Sequence, residues 1–195
     1  MTDAQSAARK DALRRQMKEQ RRTLSGSEQA RMAAQLAGHV LASPAYRQAK
    51  TVMLYMAARG EISLDAVIAD ALDCGKRLAL PLCAGRGVMT ARAVRGMREL
   101  QAGMYGLMEP RGDCPVVPPE EIDLILVPGA AFDRRGGRIG QAGGYYDRFL
   151  PLTGACRIGV CHSFALMDDP LPQEAHDARM HLLATDEGIR PAIQE

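Results

Sequence analysis

Apolar residues at helical spacing mark two helices in the first part of the chain. Residues 6–24 are rich in Ala, Arg, Gln and Met and have only a thin apolar stripe, which predicts a basic, mostly solvated helix. Ser25 and Glu28 have the spacing of a capping box and predict the start of a second helix. Ser43-Pro44 should end it, because the residue before a proline avoids the helical conformation. Its predicted buried face consists of Ala33, Leu36, Ala37, Val40 and Leu41.

Short apolar runs separated by helical patterns predict a sheet. The run DLILV at 123–127 is the clearest strand, and Pro128-Gly129 turns the chain out of it. A further helix is predicted between Ser63 and Gly75. The alternation predicts an α/β fold, a layered α/β/α sandwich around a mostly parallel sheet, with ligands at the carboxyl ends of its strands. The other strand candidates are residues 51–57, 77–83, 88–94 (extending an edge), 157–161 and 181–184.

Composition favours a single compact domain spanning residues 1–195. With 195 residues, 47% of them hydrophobic, the chain can bury one substantial core. A formal net charge of +2, five tyrosines, three phenylalanines and no tryptophan argue against a nucleic-acid-binding protein. The five cysteines lack zinc-binding spacing, and no segment reads as a signal peptide or membrane span. We therefore predict a cytoplasmic protein with small-molecule ligands, no membrane association and no obligate protein partner.

A glycine-rich turn is the first candidate for chemistry. The sequence GGRIGQAGG from Gly136 to Gly144 lets backbone amides approach a ligand closely, and the following YYDRFL can start a helix facing the same anion. Arg138 adds a positive charge. The spacing matches neither the standard phosphate loop nor the dinucleotide fingerprint. On glycine content alone, a flexible surface loop is the more frequent interpretation, so the turn acquires meaning only from its wider context.

That context is the string VPGAAFDRRGGRIGQAGGYYDRFL at 127–150, which resembles the signature of the 5-formyltetrahydrofolate cyclo-ligase family. The resemblance lies in an apolar strand followed by Pro-Gly, Phe-Asp, Gly-x-Arg, a glycine turn and Gly-Tyr-Tyr-Asp. Weaker similarities extend it from Lys10 to about Asp186. They are Lys10-x-x-x-Arg14, Gly60-Glu61-Ile62, residues 106–110, and Leu171-Pro172 before His176-Asp177.

The resemblance implies ATP- and Mg²⁺-dependent conversion of 5-formyltetrahydrofolate to 5,10-methenyltetrahydrofolate, with release of ADP and phosphate. Members of the family are understood to phosphorylate the formyl oxygen, after which the neighbouring amine closes the ring. No enzyme nucleophile is then needed, and catalysis rests on positioning and charge neutralisation. The implied fold resembles that of sugar-phosphate isomerases and coenzyme A transferases.

The resemblance also assigns roles to individual residues. Arg138, Tyr146 and Asp147 would be catalytic, with Asp147 also the Mg²⁺ ligand. The proposed contacts to 5-formyltetrahydrofolate are Met56, Glu61, Gln141, Gly144 and Tyr145. Those to ATP are Lys10, Arg14, Arg138, Ile139, Gly140, Gln141, Ala142, Gly143, Gly144, Tyr145 and Tyr146.

Several of these roles have structural alternatives. Lys10 and Arg14 share a helix face, but they would also suit a solvated basic helix. Asp147 could instead be a carboxylate stabilised at a helix start. Asp133 could support the metal or Arg138, or simply form a turn.

Two positions depart from the family pattern, and both leave alternatives open. Ala142 stands where the family usually has glycine, which could weaken phosphate binding. His181 stands where some members place a second metal-binding Asp; it could face the ion, or it could open the last strand at the surface. One competing hypothesis is a folate- or nucleotide-binding relative that has lost turnover. Another is a different, ATP-independent enzyme on the same scaffold.

Overall fold

The protein has an α/β architecture, seen in a computed structural model that describes residues 3–58, 60–85, 87–103, 106–141, 143–174 and 177–193. Within these ranges the helices are α1 (Asp3–Thr23), α2 (Gly26–Ala42), α3 (Pro44–Gln48), α4 (Asp65–Asp73) and α5 (Tyr145–Phe149). The strands are β1 (Thr51–Met53), β2 (Arg77–Cys83), β3 (Met89–Val94), β4 (Leu100–Ala102), β5 (Met108–Pro110), β6 (Val116–Val117), β7 (Leu124–Pro128), β8 (Ala131–Asp133), β9 (Arg138–Ile139), β10 (Cys156–Val160), β11 (Leu166–Met167), β12 (Leu182–Thr185) and β13 (Gly188–Pro191).

The main sheet has the strand order β13-β12-β10-β7-β1-β2-β3-β6. Its five central strands, from β12 to β2, pair in parallel, whereas β13, β3 and β6 are added antiparallel at the two sides. A small sheet of β11, β8 and β9 and the hairpin β4-β5 complete the strands of the described residues. The sheet is therefore mostly parallel at its centre, as the sequence predicts.

Two apolar cores cover opposite faces of the sheet. Successive residues of a strand point to opposite faces, so in β7 Leu124 and Leu126 belong to one core and Ile125 and Val127 to the other. Helices α2 and α4 pack on the first core, and Met17 of α1 packs on the second. This arrangement confirms the predicted layering of helices around a central sheet.

Most predicted elements are present. The capping box of Ser25 and Glu28 forms, and α2 ends before Ser43. The predicted strand at 77–83 has the bounds of β2, and the candidates at 123–127, 157–161 and 181–184 correspond to β7, β10 and β12 with shifts of one residue at their ends.

Two expectations about the strands are corrected. The strand predicted at 51–57 ends at Met53, and the Leu54 amide makes one further hydrogen bond, to the Ala79 carbonyl of the neighbouring strand. The strand at 88–94 is not the edge of the sheet, since the two-residue strand β6 pairs on its outer side. None of the helices in the described ranges is both long and apolar enough to cross a membrane.

Candidate active site

One face of helix α1 is buried, and it carries two cations. Lys10, Met17 and Arg21 are at most 8% exposed, and Arg14 lies on the same face, since the four positions recur at the 4-3-4 spacing of one helical stripe. The helix as a whole is mostly solvated, as predicted, and the burial of two cations on this one face is the feature that the sequence did not indicate. Arg21 had no predicted role, although its spacing of seven from Arg14 and eleven from Lys10 places it on the same face.

A cleft of about 270 Å³ lies between α1 and the glycine turn. Among the described residues it gathers cations from both elements, with carboxylates interspersed between them. The assigned residues that line it are Lys10, Arg14, Arg138, Ile139, Gly140, Gly144 and Asp147. Its other lining residues are Ala7, Asp11, Glu174 and Asp177, of which the two acidic residues of the 171–177 segment had no predicted role.

Lys10 is held as a cation in the wall of this cleft. Its Nζ donates to Oε1 of Glu174 at 2.8 Å and to Oδ2 of Asp177 at 3.1 Å. Burial by itself lowers the pKa of Lys10, but the hydrogen bonds to the two carboxylates outweigh it and leave the pKa above its usual value. The ammonium group therefore stays charged. Lys10 and both of its carboxylate partners line the cleft.

Arg14 ties α1 to the glycine turn. Its Nε donates to the Gly140 carbonyl at 2.8 Å, and its terminal nitrogen bonds to Asp11 at 2.5 Å. Gly144 caps α5 with φ of 65°, a left-handed conformation that favours glycine. Ala142 lies outside the described residues.

Arg138 and Asp147 form a short ion pair in the same cleft. The Arg138 side chain is 5% exposed and that of Asp147 is 22% exposed. A second guanidinium nitrogen of Arg138 donates to the Pro128 carbonyl at 3.2 Å, so the guanidinium is fixed from two sides. The other carboxylate oxygen of Asp147 has no hydrogen-bond partner within the described ranges.

Tyr146 lies beneath this ion pair. The Arg138 guanidinium is 5.7 Å from the centre of its ring, within the range of a cation–π contact. Its hydroxyl is buried and has no hydrogen-bond partner in the described part of the chain. Burial, and next the negative charge of Glu61, raise the pKa of Tyr146, whereas Arg138 lowers it. The phenol is therefore neutral and lies within electrostatic reach of both Arg138 and Glu61.

The residues assigned to the folate are only partly together. Glu61 accepts a hydrogen bond from Gln141 at 3.3 Å and another from the Ala58 amide at 3.0 Å. Tyr145 donates its hydroxyl to the Gly85 carbonyl at 3.1 Å. Met56 packs against the core on the α2 side and does not line the cleft. Glu61 thus lies against Gln141 of the glycine turn.

The structure distinguishes between the alternatives for Asp133 and His181. Asp133 is 2% exposed and accepts hydrogen bonds from the backbone amides of Arg135, Gly137 and Leu171, which is the arrangement of a turn-forming residue. His181 precedes β12, and its Nδ1 accepts a hydrogen bond from the Arg157 amide at 3.0 Å. Its ring therefore accepts a hydrogen bond at the amino end of the parallel strands, where the residue is exposed. This placement favours the alternative in which His181 opens the last strand at the surface.

Comparison with known proteins shows the family of the chain. The model of the 5-formyltetrahydrofolate cyclo-ligase family matches residues 6–186. The chain belongs to this family. Its named members are ligases, so the predicted enzyme class is confirmed, and the matched range agrees with a resemblance from Lys10 to about Asp186.

Individual relatives of the cyclo-ligase family support the assignment. The chain is 35% identical to the 5-formyltetrahydrofolate cyclo-ligase of Mycolicibacterium smegmatis over 150 residues, covering 72% of this chain and 76% of the relative. It is 28% identical to the Escherichia coli K12 enzyme of the same name over 175 residues, covering 87% and 96%.

A solved relative has the same architecture. The structure of Aquifex aeolicus 5,10-methenyltetrahydrofolate synthetase superposes with a TM-score of 0.85 and 32% identity, covering 95% of this chain and 94% of that one. The Mycoplasma pneumoniae 5,10-methenyltetrahydrofolate synthetase, 22% identical with a TM-score of 0.74, shares the fold. The fold of the family is thus the fold of this chain.

Proposed function

We propose that the protein uses ATP and Mg²⁺ to convert 5-formyltetrahydrofolate to 5,10-methenyltetrahydrofolate, with release of ADP and phosphate. The observation that carries the proposal is the cleft in which Lys10, Arg14 and Arg138 converge beside Asp147. The relatives' names supply the reaction, since a cyclo-ligase acting on 5-formyltetrahydrofolate and a 5,10-methenyltetrahydrofolate synthetase name the same conversion by its substrate and its product.

The cations of the cleft suit a triphosphate. In the structure each cation already has a carboxylate partner: Lys10 has Glu174 and Asp177, Arg14 has Asp11, and Arg138 has Asp147. Phosphate oxygens would replace these carboxylates, and the replacement would release Asp147. Because the cations are already held in place, little conformational entropy is lost when the phosphates bind.

Asp147 fits the requirements of a Mg²⁺ ligand. This ion keeps several waters and takes one or two carboxylates together with phosphate oxygens. One oxygen of Asp147 has no partner within the described ranges, and those ranges contain no cluster of three or more His, Cys, Asp or Glu residues that could hold a metal by itself. The ion would supply charge neutralisation at the transferring phosphoryl group, held jointly by Asp147 and the nucleotide.

Tyr146 and Arg138 would act where the two substrates meet. In the proposed reaction the formyl oxygen attacks the γ-phosphorus of ATP and displaces ADP. The N10 amine then attacks the formyl carbon to close the ring, and phosphate leaves as N10 loses its proton. The chain supplies no nucleophile. Arg138 would stabilise negative charge on the transferring group. The Tyr146 hydroxyl is neutral and has no hydrogen-bond partner in the described chain, and the charges of Arg138 and Glu61 both affect its pKa. It would donate a hydrogen bond to a substrate oxygen where the nucleotide and the folate meet.

Turnover tests the proposal directly. Purified protein mixed with 5-formyltetrahydrofolate, ATP and Mg²⁺ is expected to produce the absorbance of the methenyl product. Omission of ATP or of the divalent ion should abolish the signal. Binding of both ligands without ADP release would identify a relative that has lost turnover. Activity on another substrate without ATP would identify a different enzyme on this scaffold.

Lys10 and Lys18 provide a matched test of the nucleotide site. Replacing Lys10 by Met is expected to raise the KM for ATP by about 10-fold or more, since a charge-assisted hydrogen bond to phosphate is lost. Lys18→Met removes the same charge from an exposed position of α1 and should leave this KM within about 2-fold, because solvent and salt screen exposed charges. Equal effects of the two substitutions would mean that α1 acts only as a diffuse basic surface.

A further inference from the structure

A narrow crevice lies at the carboxyl ends of the central parallel strands β1, β7 and β10. Tyr55 follows β1, Gly129 follows β7 and His162 follows β10, while Arg21 reaches the crevice from the last turn of α1. Glu61 also lines it. The crevice is therefore lined by a residue that the proposed function assigns to the folate.

Arg21 is buried in this crevice with one donor unused. The side chain is 7% exposed, and one terminal nitrogen donates to the carbonyls of Gly129 and Ala130 at 2.7 and 3.0 Å. Its Nε has no hydrogen-bond partner within the described ranges. Gly60 packs on the same side chain, where a Cβ would be 3.2 Å from the Arg21 Cβ. Arg21 thus joins α1 to the turn after β7 and to the segment that contains Glu61.

His162 is the second buried group with an unused polar atom. It is 2% exposed, its ring stacks on Phe164 with a centroid distance of 5.0 Å, and its Nδ1 has no partner among the described residues. Burial, and next the charge of Arg21, lower its pKa to about 4, while Asp186 opposes the shift. The imidazole is therefore neutral at physiological pH and can offer either a donor or an acceptor at Nδ1.

Buried donors of this kind ordinarily have partners, since leaving them unpaired is unfavourable. A bridging water does not resolve the matter, because the closed crevice has no free volume for a water-sized molecule. A ligand would have to part the crevice on the Glu61 side, where the 3.3 Å hydrogen bond between Gln141 and Glu61 is exposed. Two unpaired nitrogens on residues that line the same crevice instead suit a ligand that brings its own acceptor.

We propose that Arg21 and His162 are specificity-determining residues that bind the carbonyl edge of the substrate's pterin ring. Glu61 accepts hydrogen bonds from the amino and amide N–H groups of the ring, and the Arg21 Nε and the His162 Nδ1 donate to the neighbouring C4 carbonyl. A carboxylate beside two donors is complementary to an edge that presents N–H groups beside a C=O. This inference rests on the proposed function, because it requires a folate substrate.

A comparison of two ligands tests the contact. 5-Formyltetrahydrofolate carries the C4 carbonyl, whereas its 4-amino analogue places a donor at the same position. Affinities for both are measured by calorimetry without ATP, for the wild type, Arg21→Lys and His162→Phe. Arg21→Lys keeps a charge near the Gly129 carbonyl but removes the Nε donor, and His162→Phe keeps a ring that can stack on Phe164. The matched control is Arg22→Lys, because Arg22 is 62% exposed and adjacent in sequence.

Each of the two test variants is expected to bind 5-formyltetrahydrofolate about 10-fold or more weakly than the wild type. Their affinities for the 4-amino analogue should stay within about 3-fold, and Arg22→Lys should match the wild type for both ligands. Equal weakening toward both ligands, or none, would overturn the inference and make Arg21 and His162 purely structural. If Arg21→Lys does not fold, His162→Phe alone decides, since it leaves the Arg21 hydrogen bonds to Gly129 and Ala130 in place. A wild type that binds neither ligand would reject the proposed function as well.

Discussion

Replacing Asp147 by Asn is expected to lower kcat/KM by about 10²-fold or more, the scale seen when a charge-stabilising group is removed from an active site. The substitution keeps the shape of the side chain but removes the negative charge that would face Mg²⁺. The Mg²⁺ concentration for half-maximal rate should rise together with the loss of rate. Calorimetry provides a second readout, in which Mg²⁺ should strengthen ATP binding to the wild type much more than to Asp147→Asn.

The exposed Asp168 is the control for Asp147. It pairs with Arg134 on the surface, where its side chain is 80% exposed, so Asp168→Asn should leave activity and metal dependence unchanged. Near-wild-type activity of Asp147→Asn at limiting Mg²⁺ would reduce Asp147 to an ion-pair partner of Arg138 at the start of α5.

Replacing Arg138 by Met is expected to affect both catalysis and stability. It removes the cation proposed to stabilise the transferring phosphoryl group, which should lower kcat/KM by about 10²- to 10³-fold. It also leaves the partly buried Asp147 without its partner, which should lower the free energy of unfolding by about 3 kcal/mol. Urea denaturation and steady-state kinetics measure the two effects separately.

The double variant Arg138→Met/Asp147→Asn separates the causes. Because it removes both charges, it should recover much of the lost stability while remaining inactive. Arg134→Met, which breaks the exposed pair with Asp168, should change the free energy of unfolding by less than about 1 kcal/mol. If the double variant unfolds as readily as Arg138→Met, the stability of this region does not depend on the ion pair.

The central strands of the fold could be predicted from the sequence, whereas the edges could not. Strand β7 and the 78–80 part of β2 are continuous apolar runs, because both of their faces are covered by the two cores. The edge strands β6 and β13 span two and four residues and lack such a run. β6 pairs with β3, and β13 pairs with β12. In the case of β6 and β3, the two strands are also distant in sequence. The hydrophobic pattern within a short segment does not show which strand that segment pairs with.

In the candidate site too, residues that are close in sequence could be predicted, whereas contacts between distant segments could not. The glycine turn with Arg138 and Asp147 is contiguous in sequence, so a long motif could indicate it. Lys10 also followed from the family resemblance, but its partners Glu174 and Asp177 are more than 160 residues away. Nothing in the sequence around His162 singles it out, because only the tertiary structure shows that it is buried with an unused nitrogen in the crevice that Arg21 also lines.

Helix α1 sets the distance between the cleft and the crevice, because Lys10 lines the cleft and Arg21 lines the crevice. Lys10 and Arg21 are eleven residues apart, which corresponds to a rise of about 16 Å along a rigid rod. That spacing is a matter of phase as well as length, since each residue turns the helix by about 100°. A single residue inserted between Arg14 and Arg21 would rotate Arg21 away from the Gly129 carbonyl while Lys10 kept its place. The relative positions of Lys10, Arg14 and Arg21 along the helix therefore matter more than its basic composition, and insertions or deletions between them should not be tolerated.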